Sequence, residues 1–312
     1  IAQGLRVYCS YSLKEATVSD LCQSYRRIQN DIDLNETDKL ILLNTIANSN
    51  SLDLELVGLQ LLPLENECLT TRLHNLLREY RDGLAIVKEL IQNADDAGAT
   101  EMNILYDERD NEDHKRTLFS DSMKSLQGPA LFVHNNSEFL EEDFKAIIKL
   151  GGATKEFKPN KIGKFGLGFN SVYNLTEVPS FISGKNIVFF DPHKTYLGSR
   201  VLKHGQPGIK LDISKRNIKS KLILFEDQFA PFNDIFGCNL RPSSVDTVSY
   251  YKGTLFRFPL RTSTQASKSK ISATVYNPSE MEALLKLIYN NRHLLLLFTQ
   301  NLQTLNVYHM RN

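Results

Sequence analysis

Apolar residues along this chain fall first into blocks of helical spacing, then into short alternating runs, then into helical spacing again. In residues 19–32, Leu21, Tyr25, Ile28 and Ile32 share one side of a helix, and a second helix over 36–46 follows Asn35 as its cap. Residues 56–64 are apolar and broken by Pro63, so 1–64 reads as a helical flanking segment. A helix over 70–80 carries Leu73, Leu76 and Leu77 on its apolar face and breaks at Arg81-Asp82-Gly83. Another runs over 84–97 and stops at Gly98, where glycine takes the left-handed conformation that ends a helix.

Strands are predicted at 101–106 and 130–133, then a helix over 141–150, a Gly- and Lys-rich loop over 151–168, and a short helix. Further strand-like runs at 181–182, 187–190, 221–225 and 254–258 are separated by polar turns. A closing helix starts at Glu280, with Ser279 as cap and Glu282 three residues on, the spacing of a capping box. Its end, 294–298, is read as core or as an interface with chain beyond this segment. The order gives an α+β fold, a mixed sheet with helices layered on one face. The expected divisions are 1–64, a central domain over 65–275, and a C-terminal helix and connection over 276–312.

Composition narrows the function classes. Lys and Arg number 37 against 36 acidic residues, so no net field draws the chain to nucleic acid or an anionic membrane, and neither is expected as a partner. The four cysteines (Cys9, Cys22, Cys68, Cys238) form no CxxC pair and have no matching His cluster, which favours reduced thiols in a cytoplasmic protein over zinc or disulfides. The longest aliphatic run, 294–298, is far too short to span a bilayer. A chain beginning at Ile1 is expected to be cut from something longer.

Two stretches carry candidate chemistry. On the helix over 84–97, Glu89, Asn93 and Asp96 stand at i, i+4 and i+7 and so share one face. A solvated polar stripe has the same spacing. So does a site in which a carboxylate activates water and an amide oxygen one turn on ligates Mg²⁺. Gly163, Gly166 and Gly168 lie within six residues just ahead of a helix, where bare backbone N–H groups approach phosphates closely. A flexible turn is the plainer reading of those glycines. With no strand directly before them and no GxxxxGK[ST], neither a dinucleotide fingerprint nor a P-loop fits.

Taken together these stretches resemble the GHKL superfamily of ATPases. Glu89, Asn93, Asp96 and Ala97 match its first box, Gly163-Lys164-Phe165-Gly166-Leu167-Gly168-Phe169 its glycine box, 151–155 its lid-start loop, and Gly253-Thr254-Leu255-Phe256-Arg257 its late strand. The wording of LIQNADDAGATE, QGPAL, GFNSVYNLTEVPSFISG and FDPH is similar to the sacsin-type repeat family over about residues 68–262. The resemblance implies a two-layer sandwich with a largely antiparallel sheet, ATP and Mg²⁺ as cofactors, and ATP hydrolysis as the activity. It implies Glu89 as general base and Asn93 as the Mg²⁺ ligand. Asp96 would also belong to the nucleotide site. Gly163, Gly166 and Gly168 would receive the phosphates with Lys155 or Lys164, and Thr254 would hold the adenine end. Chaperone machinery, client proteins and neighbouring repeats of a parent chain are the partners it implies.

One family box is not matched. Where an aspartate should accept from the adenine amino group, this chain has His134-Asn135-Asn136-Ser137-Glu138-Phe139. If Phe139 takes the place of the family's methionine, His134 stands at the aspartate position; sliding offers Asn135 or Asn136, and Asn136 is carried as a candidate adenine contact. Losing a charge-assisted hydrogen bond weakens binding by roughly 1.5–3 kcal/mol. Arg200, Arg241, Arg257 and Arg261 are the arginine candidates for a γ-phosphate contact. Three functions follow: a nucleotide-dependent chaperone module, a nucleotide-independent interaction scaffold with a degenerate site, or a histidine kinase catalytic domain, for which the chain shows no partnering phosphoacceptor helix.

Overall fold

The computed structural model describes residues 68–78, 83–111, 113–148, 168–198, 206–241 and 250–311. The helical flanking segment expected over 1–64 and most of the Gly- and Lys-rich loop, with Lys155, Gly163, Lys164 and Gly166, lie outside the described residues.

Helix α1 (Leu69–Leu77) and helix α2 (Gly83–Asp96) lead into strand β1 (Glu101–Asp107). Strand β2 (Ala130–Asn135) and helix α3 (Glu141–Ile148) follow. After a 3-10 helix (Phe169–Asn174) come strands β3 (Ser180–Gly184), β4 (Asn186–Phe190) and β5 (Gly208–Asp212). Two helices, α4 (Arg216–Leu224) and α5 (Glu226–Phe229), precede the long strand β6 (Tyr251–Pro259). The short helix α6 (Ser263–Ala266), helix α7 (Pro278–Leu295) and strand β7 (Thr304–Met310) complete the order.

The seven strands form one sheet in the order β5-β4-β3-β6-β2-β1-β7. Every pairing is antiparallel except β1–β7, which is parallel, with Glu101 opposite Thr304 and Asp107 opposite Met310. The fold is α+β, as expected from the order of elements.

Side-chain alternation divides the sheet into two buried faces. Met102, Ile104, Leu131, Val133, Phe181, Phe256 and Phe258 pack under Leu73, Ile86, Leu90 and Ala94 of α1 and α2, with Leu284 and Ile288 of α7 in the same cluster. Phe132, Ile182, Ile187, Phe189 and Leu255 face the other way, beneath Ile218 and Leu222 of α4, Phe229 and Phe232. The long helices therefore lie on one face as expected, and short helices and turns cover the second face as well.

Three local expectations change. The run 221–225 is the end of helix α4, not a strand: Ile218 and Leu222, four residues apart, bury on one side, which is helical period. The cap of α7 is Asn277 rather than Ser279. Its side chain accepts from Glu280 N (3.0 Å), Glu280 Oε2 accepts from Asn277 N (2.9 Å), and Pro278 sits at the first helical position. The run 294–298 is divided: Leu295 and Leu296 pack against the core, in line with the core half of that expectation, while Leu294, Leu297 and Phe298 are 66%, 65% and 87% exposed. Strand β7 was not expected at all.

Candidate functional site

Helix α2 ends where its sequence says it must. Gly98 adopts φ +75°, and its N–H donates to Asp95 O (2.9 Å) while Ala99 N–H donates to Ala94 O (3.0 Å). That termination leaves Asn93, Asp96 and Ala97 facing the sheet across a cavity of about 260 Å³. Leu90, Val133, Ile147, Phe169 and Phe256 give it apolar walls, and Asn135, Thr254, Asp143 and Glu138 supply polar groups. Apolar walls with a few polar groups to orient a guest are the usual make-up of a small-molecule site.

The structure brings Asn93 and Asp96, neighbours on α2, together on this cavity with Thr254 of the distant strand β6. It also joins the first box to the glycine box. A Cβ placed on Gly168 would lie 2.1 Å from Glu89 Oε2 and 3.0 Å from Glu89 Cδ. With glycine at 168 the Glu89 carboxylate can lie against the backbone there; a side chain at 168 would displace that carboxylate from its present position. Gly168 itself has φ −64° and ψ −43°, a conformation open to any residue, so the contact with Glu89 is the feature that a side chain here would disturb.

The 3-10 helix that follows Gly168 is held from beneath by Arg261. Its buried guanidinium donates to Tyr173 O (2.5 Å), Asn174 O (2.9 Å) and Thr176 O (3.2 Å), and it pairs with the Glu177 carboxylate. The other oxygen of Glu177 is 3.1 Å from Nδ1 of His193, whose Nε2 accepts from Lys270 N (3.1 Å). Burial pushes the His193 pKa below the ordinary histidine value, against the pull of Glu177 and Asp191.

The residue at the unmatched aspartate box is now defined by alternation. Val133 and Asn135 face the cavity; His134 faces the other way, stacked on Phe236 (5.4 Å) with its Nδ1 accepting from Asn103 Nδ2 (3.1 Å). Burial lowers the His134 pKa, with Glu101 opposing. Asn136, expected as an adenine contact, does not line the cavity. Its Oδ1 accepts from Thr100 N (2.9 Å) and Glu101 N (3.2 Å), and its Nδ2 donates to Thr100 Oγ1 (2.7 Å), so the amide is spent on the start of β1. Asn135 takes the wall instead. Its Oδ1 accepts from Ser137 N (3.0 Å), which fixes the amide orientation and leaves Nδ2 without a protein acceptor among the described residues.

A chain of hydrogen bonds braces the cavity mouth. Phe139 N donates to Ser183 Oγ (2.8 Å), Ser183 Oγ pairs with Thr254 Oγ1 (2.8 Å), and Thr254 Oγ1 donates to Ser137 O (2.8 Å). Ser137 Oγ in turn donates to Ala97 O (2.6 Å) at the end of α2. Ser183 was missed from sequence, and its only signal was its place two residues after Phe181 on the same strand face. Thr254 reaches the cavity as expected, with its hydroxyl already engaged.

None of Arg241, Arg257 and Arg261 lines the cavity. Arg241 pairs with Asp234, Arg257 is buried on the opposite face over Phe132, and Arg261 belongs to the Glu177 cluster. Arg200 lies outside the described residues.

The Sacsin domain family model matches residues 66–312 of this chain. Human sacsin is 41% identical to it over 241 residues, which is 77% of this chain and 5% of the length of the human protein. The chain thus spans a small fraction of that relative.

Proposed function

The chain belongs to the sacsin domain family, and from that premise we propose that its α2–sheet cavity is a GHKL-type nucleotide site through which Mg-ATP regulates partner or client binding in protein quality control. The observation that carries this reading is the convergence of Asn93, Asp96 and Thr254 on one cavity, with Gly168 packed against Glu89 beside it. The apolar walls and the Asn135 amide suit the base end of a nucleotide. Bound Mg-ATP supplies the phosphoanhydride. Glu89 would accept the proton of the water that attacks the γ-phosphate as the β–γ bond breaks and ADP leaves, the Asn93 amide oxygen would be a neutral ligand for Mg²⁺, and Asp96 and Thr254 would hold the base end. The chaperone role, the cytoplasmic setting and the partners (chaperone machinery, clients, neighbouring repeats) belong to the same reading.

A second reading is a nucleotide-independent scaffold that keeps the fold. It is favoured by one specific observation: an uncharged amide, Asn135, stands at the sheet wall, and the Thr254 hydroxyl is committed to Ser137. Calorimetric titration of the full chain with ATP, with and without Mg²⁺, beside Asn93→Ala, separates the two. Micromolar binding that needs Mg²⁺ and Asn93 supports the nucleotide site. A folded sample that gives no heat with ATP refutes it and leaves the scaffold.

A further inference from the structure

At the far edge of the sheet, away from the cavity, three elements place nitrogen and oxygen donors together. Glu108 follows β1, His309 is on β7 and Glu282 is in the second turn of α7, and one donor atom from each lies within 4.8 Å of the other two. Their backbones are fixed. Glu108 N donates to Met310 O (2.9 Å), the parallel register sets Tyr106 opposite His309, and the His309 ring stacks on Tyr106 at 5.1 Å and 17°. The structural cap of α7 is formed by Asn277 and Glu280, so Glu282 is not spent on capping.

The His309 nitrogen is the anomaly. Its Nε2 is shut off from water and makes no hydrogen bond, although Glu108 Oε1 is only 3.2 Å away, bent off the direction a ring N–H would need. A protonated Nε2 would have no acceptor along its axis; a deprotonated one would turn its lone pair towards a carboxylate. A cation between them removes both conflicts. The surroundings have the sign for it, with the carboxylates of Glu108 and Glu282 both at the site. The cations now near Glu282, Lys286 and Arg311, stand 3.8 Å from its oxygens on side chains about three-quarters exposed, and such contacts are surrendered easily.

We propose that Glu108, Glu282 and His309 form a binding site for a divalent transition-metal ion, tying α7 to the β1–β7 edge. One imidazole nitrogen with two carboxylates is a donor set for Zn²⁺ or its first-row neighbours rather than for Mg²⁺, which prefers an all-oxygen shell. The site is independent of the nucleotide reading, since none of the three residues lines the cavity.

The test uses the full chain stripped with chelator, titrated with ZnCl₂ by calorimetry and followed by thermal denaturation. The expected result is one saturable Zn²⁺ site involving these residues, a rise in melting temperature, and at least ~10-fold weaker binding in Glu282→Gln and in His309→Gln. Co²⁺ substitution distinguishes this site from the thiols: oxygen and nitrogen ligation gives weak visible bands without the intense sulfur charge-transfer absorption. Zn²⁺ affinity unchanged in both variants, or a thiolate cobalt spectrum, overturns the proposal; so does absence of saturable binding. Glu282→Gln changes a partly exposed helix residue and is the arm to read if His309→Gln fails to fold.

Discussion

The contact between Gly168 and Glu89 makes a prediction that needs no assumption about ligands. Gly168 has right-handed helical dihedrals, and alanine at such a position normally stabilises a protein by about 0.4–1 kcal/mol, by restricting the unfolded chain. Here the new Cβ would sit 2.1 Å from Glu89 Oε2, so the carboxylate must swing away. Forcing a side chain off its preferred rotamer costs of order 0.5–1.5 kcal/mol. Gly168→Ala alone should therefore change stability little, the two effects nearly cancelling. With Glu89→Ala in the background the obstacle is gone, and the same substitution should recover its full gain, giving a coupling of about 0.5–1.5 kcal/mol between the two sites. Urea denaturation of the wild type, both single variants and the double variant measures it. Additive effects within about 0.3 kcal/mol would refute the packing described. If the nucleotide reading is right, Gly168→Ala should also abolish turnover while sparing the fold, because it displaces the general base.

Two further outcomes follow from the same geometry. Asn135→Asp puts a charged acceptor on the sheet wall, where Oδ1 still accepts from Ser137 N–H, and should tighten ATP binding about tenfold as read by calorimetry; unchanged or weaker binding means the adenine amino group does not meet this wall. Stability should fall on acidification through the ordinary histidine range. Burial holds His134 and His193 below their unfolded values, so their contribution is complete above about pH 6.5 and is lost as the unfolded chain takes up protons first. The gap between urea midpoints at neutral and mildly acid pH should shrink in a His134→Gln/His193→Gln variant, and a gap of unchanged size would rule these two residues out as its source.

Much of the fold was legible because its signals are local. Periodicity and Gly98 fixed α2 almost to its ends, and apolar runs marked β3, β4 and the middle of β6. Strand β7 was not legible. Its pairing with β1 joins residues some two hundred positions apart, and its burial is too uneven to leave an alternating pattern. Residues 221–225 misled because an apolar run four or five residues long has no period of its own; Ile218, outside the run, decides for helix. On the cavity, Asn93, Asp96 and Thr254 were named through the family resemblance, since spacing alone also fits a solvated stripe. Asn135 against Asn136 was undecidable from sequence, since a one-residue slip exchanges the faces of a strand and only the sheet register breaks the tie.

Asp95, the buried neighbour of Asp96, resists protonation although burial opposes its charge, because it accepts from the backbone N–H groups of Gln300 (2.9 Å), Asn301 (2.6 Å) and Leu302 (2.8 Å). Those amides lie on the turn that feeds β7, while the next side chain along α2 borders the cavity. The helix end and the turn are thus one mechanical part, and a displacement on the cavity side is inherited by three amide protons on the far side of α2. Their hydrogen-exchange rates make a native gauge of that motion, readable in the unlabelled, unmutated protein.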